Sequence, residues 1–333
     1  MFHQVVSMSS SYNKRHHLPN GAFRNNADLK HTHASAWNVL KWKSKAPKVK
    51  AIDYSVAQDT KTAIHKPDQK HCVWIGHATF LLQYGGLNIL TDPHFSDRAS
   101  PSQLIGPKRT TKPALSITQL PHIDVIVISH DHYDHLDMHS VVVLYERQRS
   151  NPPLFVVPLK VGQWLKKHRI SNWVELDWWQ STSFNNWRFH AVPVQHFSGR
   201  GLKPNNTLWA GWVMECLKDS RKPYKVFFAG DTGYSDDFKN INKQFGAMDL
   251  SFIPIGAYAP RWFMKEVHVN PDEAVRIHLD VKSKRSIGMH WGSFVLTDEP
   301  MDEPPKNLEE AKAKYSLSHD EFISVAHGEI IQL

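Results

Sequence analysis

The sequence predicts an α/β chain whose strands outnumber its helices and whose chemistry sits on the rim of a sheet. Three observations predict it. Short apolar runs bounded by turn residues recur from Val73 to His290. Polar groups close these runs: "VIVIS" leads into His130, "HAVPV" towards His196, "KVFFAG" into Asp231, and "SIGM" into His290. One decapeptide, "ISHDHYDHLD" (128–137), holds three histidines and three aspartates between an apolar run and a helix-like stretch. A sheet interior cannot hold such groups cheaply, whereas loops at its rim are wet and can converge.

The elements follow in order. Residues 1–50 are polar and rich in His, Asn and Lys, and are expected to be an N-terminal extension; residues 51–333 form the body. "VWIGHATFLLQY" and "LNILTD" are apolar runs joined by Gly85-Gly86, a two-residue hairpin signal. "HIDVIVIS" predicts a short buried strand and "SVVVLYERQR" a helix. Leu154 to Val157 predicts a strand and "GQWLKKH" a helix. Further strands are expected in "NNWRFHAVPV", "TLWAGWVMEC", "KVFFAG", "DLSFIPI" and "RSIGMH". In "NPDEAVRIHL", Asn270 can cap a helix, Pro271 suits its first turn, and Glu273 completes a capping box.

Composition narrows the function classes. With 333 residues and 41% hydrophobic content the chain can bury a sizeable core. A formal charge of +8 favours anionic partners, but no run of five Lys/Arg and no nucleic-acid motif occurs, so no nucleic-acid partner is expected. Cys72 and Cys216 form no CxxC pair, so no cysteine zinc site and no disulfide framework is expected, and a cytoplasmic location fits. No window reaches the roughly 18 apolar residues of a membrane span, so any membrane contact is expected to be peripheral. Trp74, Trp209, Trp212 and Trp291 are expected in the core rather than against lipid. Nothing in the sequence fixes the oligomeric state.

In His130-Asp131-His132, alternate residues of an extended chain project to one side, so two imidazoles can reach one cation. Asp134 and His135 follow as the chain turns and can face a second. Histidine nitrogen and carboxylate oxygen suit zinc, with manganese or iron as alternative occupants. Isolated histidines such as His16, His17, His31, His33 and His319 are expected to have no metal role. His77 falls inside an apolar run and is left out of the metal site.

"HDHYDH" resembles the signature of the metallo-β-lactamase superfamily. Within it, the chain is most similar to the N-acylphosphatidylethanolamine-hydrolysing phospholipase D family. The similarity lies in "WIGHATFLLQYGGLNILTDPHFSDRASPSQLIGPKR", "ISHDHYDHLD", "VQHFSGRGLKPNNTLWAGWV", "FFAGDTGYSDDF" and "IGMHWGSFVLTDEPMDEPP", in order between residues 73 and 305. The resemblance implies a metallo-β-lactamase αβ/βα sandwich, two mixed sheets flanked by helices, with residues 51–333 as the catalytic domain. It implies two zinc ions: His130, His132 and His196 on the first, Asp134, His135 and His290 on the second, and Asp231 bridging them. It makes Asp92 the carboxylate that orients a ligand histidine. It gives catalytic roles to Asp231, Asp134 and His268, the last as a contact for the substrate phosphate at a helix N-terminus. The implied activity is a zinc-dependent phosphodiesterase of the phospholipase D type, with a phospholipid substrate and peripheral contact with a membrane. A lactonase or a soluble phosphodiesterase on the same site is the alternative.

Overall fold

The computed structural model describes residues 5–7, 14–27, 29, 41, 42, 44–57, 60–65, 70–200, 204–218 and 221–333. His31 and His33 lie outside the described residues. Two mixed sheets pack face to face, with helices on their outer sides. One sheet has the order β15 (Ile330–Gln332), β2 (His71–Gly76), β3 (Thr79–Tyr84), β4 (Leu87–Thr91), β5 (Val125–Val127), β6 (Leu154–Pro158) and β7 (Trp173–Leu176). The other has β1 (Val5–Ser7), β8 (Gln180–Phe184), β9 (Trp187–Val192), β10 (Gly211–Cys216), β11 (Tyr224–Phe228), β12 (Leu250–Pro254), β13 (Ser286–Met289) and β14 (Phe322–Ile323).

The side-chain period of two explains why β2 to β6 carry apolar residues on both faces. Trp74, Phe80, Leu82, Ile89, Val127 and Val156 fill the space between the sheets. Their neighbours Val73, Ile75, Leu81, Leu90, Ile126 and Phe155 face the opposite way and pack with Val141, Leu144 and Leu165 of the helices Met138–Arg147 and Val161–Lys167. Phe80 stacks on Phe252 across the sandwich with ring centroids 4.0 Å apart. Trp74, Trp209 and Trp212 are fully buried, as expected, while Trp291 is half-buried against Trp74 and Tyr54. Asn270 and Glu273 form the expected capping box on the helix Pro271–Asp280.

Strands β4 to β7 run parallel, as do β11 to β14. Residues that close parallel strands are thereby gathered at one edge, which is how His130, Asp231 and His290 come to meet. Val73–Tyr84 is one apolar run but two strands. Gly76 (φ 139°) and His77 (φ 54°) reverse the chain, so His77 sits in a tight turn and not inside a strand. The helices Asp237–Phe245 and Glu303–Lys314, and strands β7, β8, β14 and β15, go beyond the predicted elements. β14 and β15 have two and three residues, too few to show a period of their own.

The described parts of residues 1–50 lie on the body. β1 pairs with β8, and Phe23 joins the main core. Neither His16 nor His17 is idle: each donates from Nε2 to Asp177, at 2.7 and 2.8 Å. Burial alone would raise the Asp177 carboxyl, but the hydrogen bonds from His16 and His17 outweigh it and hold it below the usual range. A depressed carboxylate contributes stability above its unfolded value and loses it as pH falls through its folded value. Amide protection of residues 14–27, taken against the intrinsic exchange rate at each pH, is therefore expected to fall at acid pH, and at neutral pH in Asp177→Asn, ahead of the sheets. Protection that falls evenly over the chain would contradict this latch.

Candidate metal centre

The stretch 128–137 leaves β5 as a loop and closes a turn, with His135 and Leu136 amides donating to the His132 carbonyl at 3.1 and 2.9 Å. Asp137 then caps the helix Met138–Arg147. This turn carries Asp134 and His135 around to the side that His130 and His132 already face. Asp131 points elsewhere, accepting from the Gly199 amide at 2.9 Å.

Two groups of ligand atoms result. The first joins His130, His132 and His196, whose candidate ligand atoms lie within 4.8 Å of one another. His132 Nδ1 is 2.9 Å from His130 Nε2 and 3.3 Å from His196 Nε2. The second joins Asp134, His135 and His290, with His77 beside them. Asp134 Oδ2 lies 2.9, 3.4 and 3.3 Å from Nε2 of His77, His135 and His290. Asp231 Oδ2 stands between the groups: 3.1 Å from His135 and His290, 4.0 Å from His130, and 3.9 Å from His196.

The surrounding hydrogen bonds fix where the imidazole protons sit. Ser129 Oγ has one proton, and its 2.5 Å contact with Asp92 Oδ2 takes it. Ser129 Oγ must then accept from His130 Nδ1 at 2.8 Å, which leaves a lone pair on His130 Nε2. His196 Nδ1 donates to the Val267 carbonyl at 2.9 Å, leaving the lone pair of Nε2 towards His132. His135 Nδ1 donates to Asp92 Oδ2 at 2.7 Å. Asp92 thus aims two imidazoles, His135 directly and His130 through Ser129.

Divalent cations fit these donors. Two lone pairs converge on His132 Nδ1, and a single proton can satisfy only one of them. Burial, reinforced by neighbouring imidazoles, holds His130 well below its usual pKa, and burial does the same to His196, so neither site favours a proton. In the second group, Asp231 and Asp134 overcome burial and pull His290 up to about 9. Buried Asp231 Oδ1 has no hydrogen-bond partner. The first group therefore offers lone pairs without protons, the second a locus that favours positive charge, and one carboxylate reaches both.

The local backbone is fitted to the site. Asp92 and His290 adopt φ of 31° and 63°, strained values for non-glycine residues. Gly230, just before Asp231, has φ 60°, and a Cβ there would meet Ser129 Cβ at 2.6 Å. Three supporting residues escape sequence reasoning. Ser129 is hidden inside the motif. His77 reads as core, yet its Nε2 holds Asp134. Asn25 lies far upstream and carries no signal; its side chain donates to the His196 carbonyl at 2.8 Å and accepts from the His196 amide at 3.0 Å.

His268 sits near the same centre. Its Nδ1 lies 3.9 Å from Asp231 Oδ2, buried and without a partner. Burial pushes its pKa down to about 4, so it faces the site as a neutral imidazole. The following helix N-terminus is less open to an anion than its position suggests, because Asp272 and Glu273 already place carboxylates in its first turn.

Asp92→Asn is expected to weaken metal binding about 10–100-fold, because it removes the charged acceptor of His135 and the carboxylate that orients the Ser129 hydroxyl beneath His130. A competition titration against a chromophoric chelator measures this. Unchanged affinity would mean that packing alone aims the two rings.

Comparison with known proteins places the fold. The Beta-lactamase superfamily domain matches residues 87–291. The chain belongs to the β-lactamase superfamily. N-acyl-phosphatidylethanolamine-hydrolyzing phospholipase D 1 of Caenorhabditis elegans is 40% identical over 297 residues, covering 84% of this chain and 81% of its own. An uncharacterized protein of Mycobacterium tuberculosis is 44% identical over 240 residues, covering 71% of this chain; the match spans 62% of that relative's length. Among solved structures, the isothiocyanate hydrolase from Delia radicum gut bacteria shares the fold, with a TM-score of 0.59 and 16% identity, over 79% of this chain and 98% of that one. The superfamily's two mixed sheets flanked by helices are those described above.

Proposed function

We propose that the chain is a metal-dependent phosphodiesterase of the phospholipase D type, which hydrolyses N-acylphosphatidylethanolamine to N-acylethanolamine and phosphatidic acid. The observation that carries hydrolysis is Asp231 Oδ2, placed within 3.1–4.0 Å of nitrogens from both ligand groups. The substrate class rests on the 40% identity to the nematode phospholipase over most of both chains.

His130, His132 and His196 would hold one cation, Asp134, His135 and His290 a second, and Asp231 both, with zinc the occupant that this donor set suits best. Such a pair, when bound, supplies Lewis acidity that makes water a better nucleophile and draws charge from a phosphoryl oxygen. Asp231 orients the attacking water and accepts its proton. His77 fixes Asp134 by its 2.9 Å hydrogen bond. His268, neutral, offers a hydrogen bond to a phosphate oxygen. The water oxygen joins phosphorus, the bond from phosphorus to the ethanolamine oxygen breaks, and that oxygen takes up the proton.

The test is reaction in heavy-oxygen water with products separated by mass spectrometry. The label is expected in phosphatidic acid. Label in N-acylethanolamine would overturn attack at phosphorus, and activity only on a lactone or a soluble phosphodiester would overturn the substrate. His268→Ala is expected to raise KM about three- to tenfold, the worth of one hydrogen bond, with unchanged metal content. Loss of metal in that variant would make His268 a ligand instead.

A further inference from the structure

Six large hydrophobic residues are exposed among the described residues, and two of them are adjacent: Leu104 at 86% and Ile105 at 71%. They occupy the tip of a hairpin, residues 97–109, which is not slack. Arg98 and Lys108 form a bridge, the Ala99 amide donates to the Pro107 carbonyl at 3.1 Å, and the Arg109 amide donates to the Asp97 carbonyl at 2.7 Å. The Arg98 guanidinium donates to the carbonyls of Gln103 and Gly106, at 3.1 and 2.6 Å on either side of the tip. Polar bonds thus hold the tip in shape while its apolar side chains stay in water. An ordered loop that exposes Leu and Ile together gains nothing from them in folding.

The base of the hairpin connects to the candidate metal centre through a chain of side-chain contacts. Arg109 Nη2 lies 2.7 Å from His94 Nδ1, and its guanidinium sits 4.5 Å over the Phe294 ring. Phe294 in turn packs 5.3 Å from His77, which holds Asp134. A further exposed hydrophobic, Trp262 at 50%, belongs to another segment that borders the centre: the adjacent Arg261 donates to the His268 carbonyl at 2.8 Å. The Lys41 ammonium lies 5.3 Å from the Trp262 ring. Charge around the tip has one sign. Residues 97–112 carry Arg98, Lys108, Arg109 and Lys112 against Asp97 alone, and Lys108 and Lys112 are exposed.

We propose that this surface docks the chain on an anionic phospholipid bilayer: Leu104, Ile105 and Trp262 enter the interface, and Lys108 and Lys112 lie against lipid phosphates. The proposal deepens the phospholipid reading of the site and rests on it for the choice of occupant. Paired apolar side chains beside lysines match the two-part chemistry of such an interface, hydrocarbon beneath a negatively charged layer. A Trp indole suits the boundary between them.

The test is flotation of the zinc-loaded full chain with vesicles of phosphatidylcholine, with and without phosphatidylglycerol, none containing N-acylphosphatidylethanolamine. Docking is thereby read without chemistry, so failure of the substrate assignment leaves this result standing. The chain is expected to float with anionic vesicles. L104D/I105D should lower its partition coefficient at least about tenfold, since two large side chains no longer leave water. K108E/K112E should weaken binding to anionic vesicles only, and added salt should weaken the wild type likewise. Metal content and thermal midpoint serve as folding controls for both variants. No flotation of the wild type, or an unchanged partition coefficient for L104D/I105D, would overturn the proposal. So would an effect of L104D/I105D confined to self-association by light scattering, which would make the tip a contact between copies of this chain. Undiminished anionic binding by K108E/K112E would overturn the role of the lysines.

Discussion

Asp231→Asn is expected to lower kcat by roughly 10³-fold, the size seen when one group that stabilises developing charge is removed. The substitution barely changes volume. It replaces the one oxygen that reaches His135 and His290 at 3.1 Å and His130 and His196 at about 4 Å. Against burial, which would raise it, His135 and His290 hold the Asp231 carboxyl well below its usual range, so this residue is a buried anion. An amide there keeps the shape and loses the charge. Elemental analysis should show less metal per chain alongside steady-state rates. Loss of His77 should cost less, because His77 acts through Asp134. Equal losses in the two variants would refute a bridging role for Asp231.

Removing the metals is expected to abolish activity and to lower the thermal midpoint on the order of 10 °C relative to the zinc-loaded chain. Ligand in roughly 1,000-fold excess over Kd stabilises by about 4 kcal/mol, and a chain of this size shifts by a few degrees per kcal/mol. Differential scanning fluorimetry after chelation, then after zinc is returned, measures the difference. The pH dependence has a definite sign. Without cations, Asp231 and Asp134 keep His290 up at about 9. A raised histidine stabilises that form below its unfolded value and loses the contribution as pH rises through about 9. Cation and proton compete for the same Nε2, so the zinc-induced shift should grow from near neutrality to about pH 9. Identical midpoints with and without zinc would count against a metal centre altogether.

How much of this was legible depends on the distance over which each signal acts. The apolar runs 87–92 and 122–129 announce buried strands because both of their faces are covered, and β4 and β5 lie there, whereas 73–84 is equally buried but divides into β2 and β3. His130, His132, Asp134 and His135 share one motif, so their meeting is a local matter. His196, Asp231 and His290 can be picked out because each closes an apolar strand, a pattern that strand order turns into proximity. Asn25 could not be found this way. It is 171 residues from His196, and nothing about an asparagine among polar residues marks it. His77 was misplaced because periodicity cannot detect a reversal made by Gly76 and a single strained residue. The tip at Leu104 and Ile105 was equally silent, since two apolar residues in a loop look alike whether they are covered or not.

The clamp from residues 14–27 bears on the order of assembly. Its contacts are non-local: His16 meets Asp177 across 161 positions, Asn25 meets His196 across 171, and Asn26 meets Asp237 across 211. During synthesis this segment emerges long before its receptors exist, and it must wait unpaired while the sheets form. Closing loops of that length carries an entropic cost that only nearly finished sheets can offset. The backbone of His196 is therefore gripped from both sides only near the end of folding. A chain caught earlier would own every candidate ligand of the first group and still present His196 loosely. Maturation of the centre is in this sense timed by a stretch of polypeptide made well before the residues it grips.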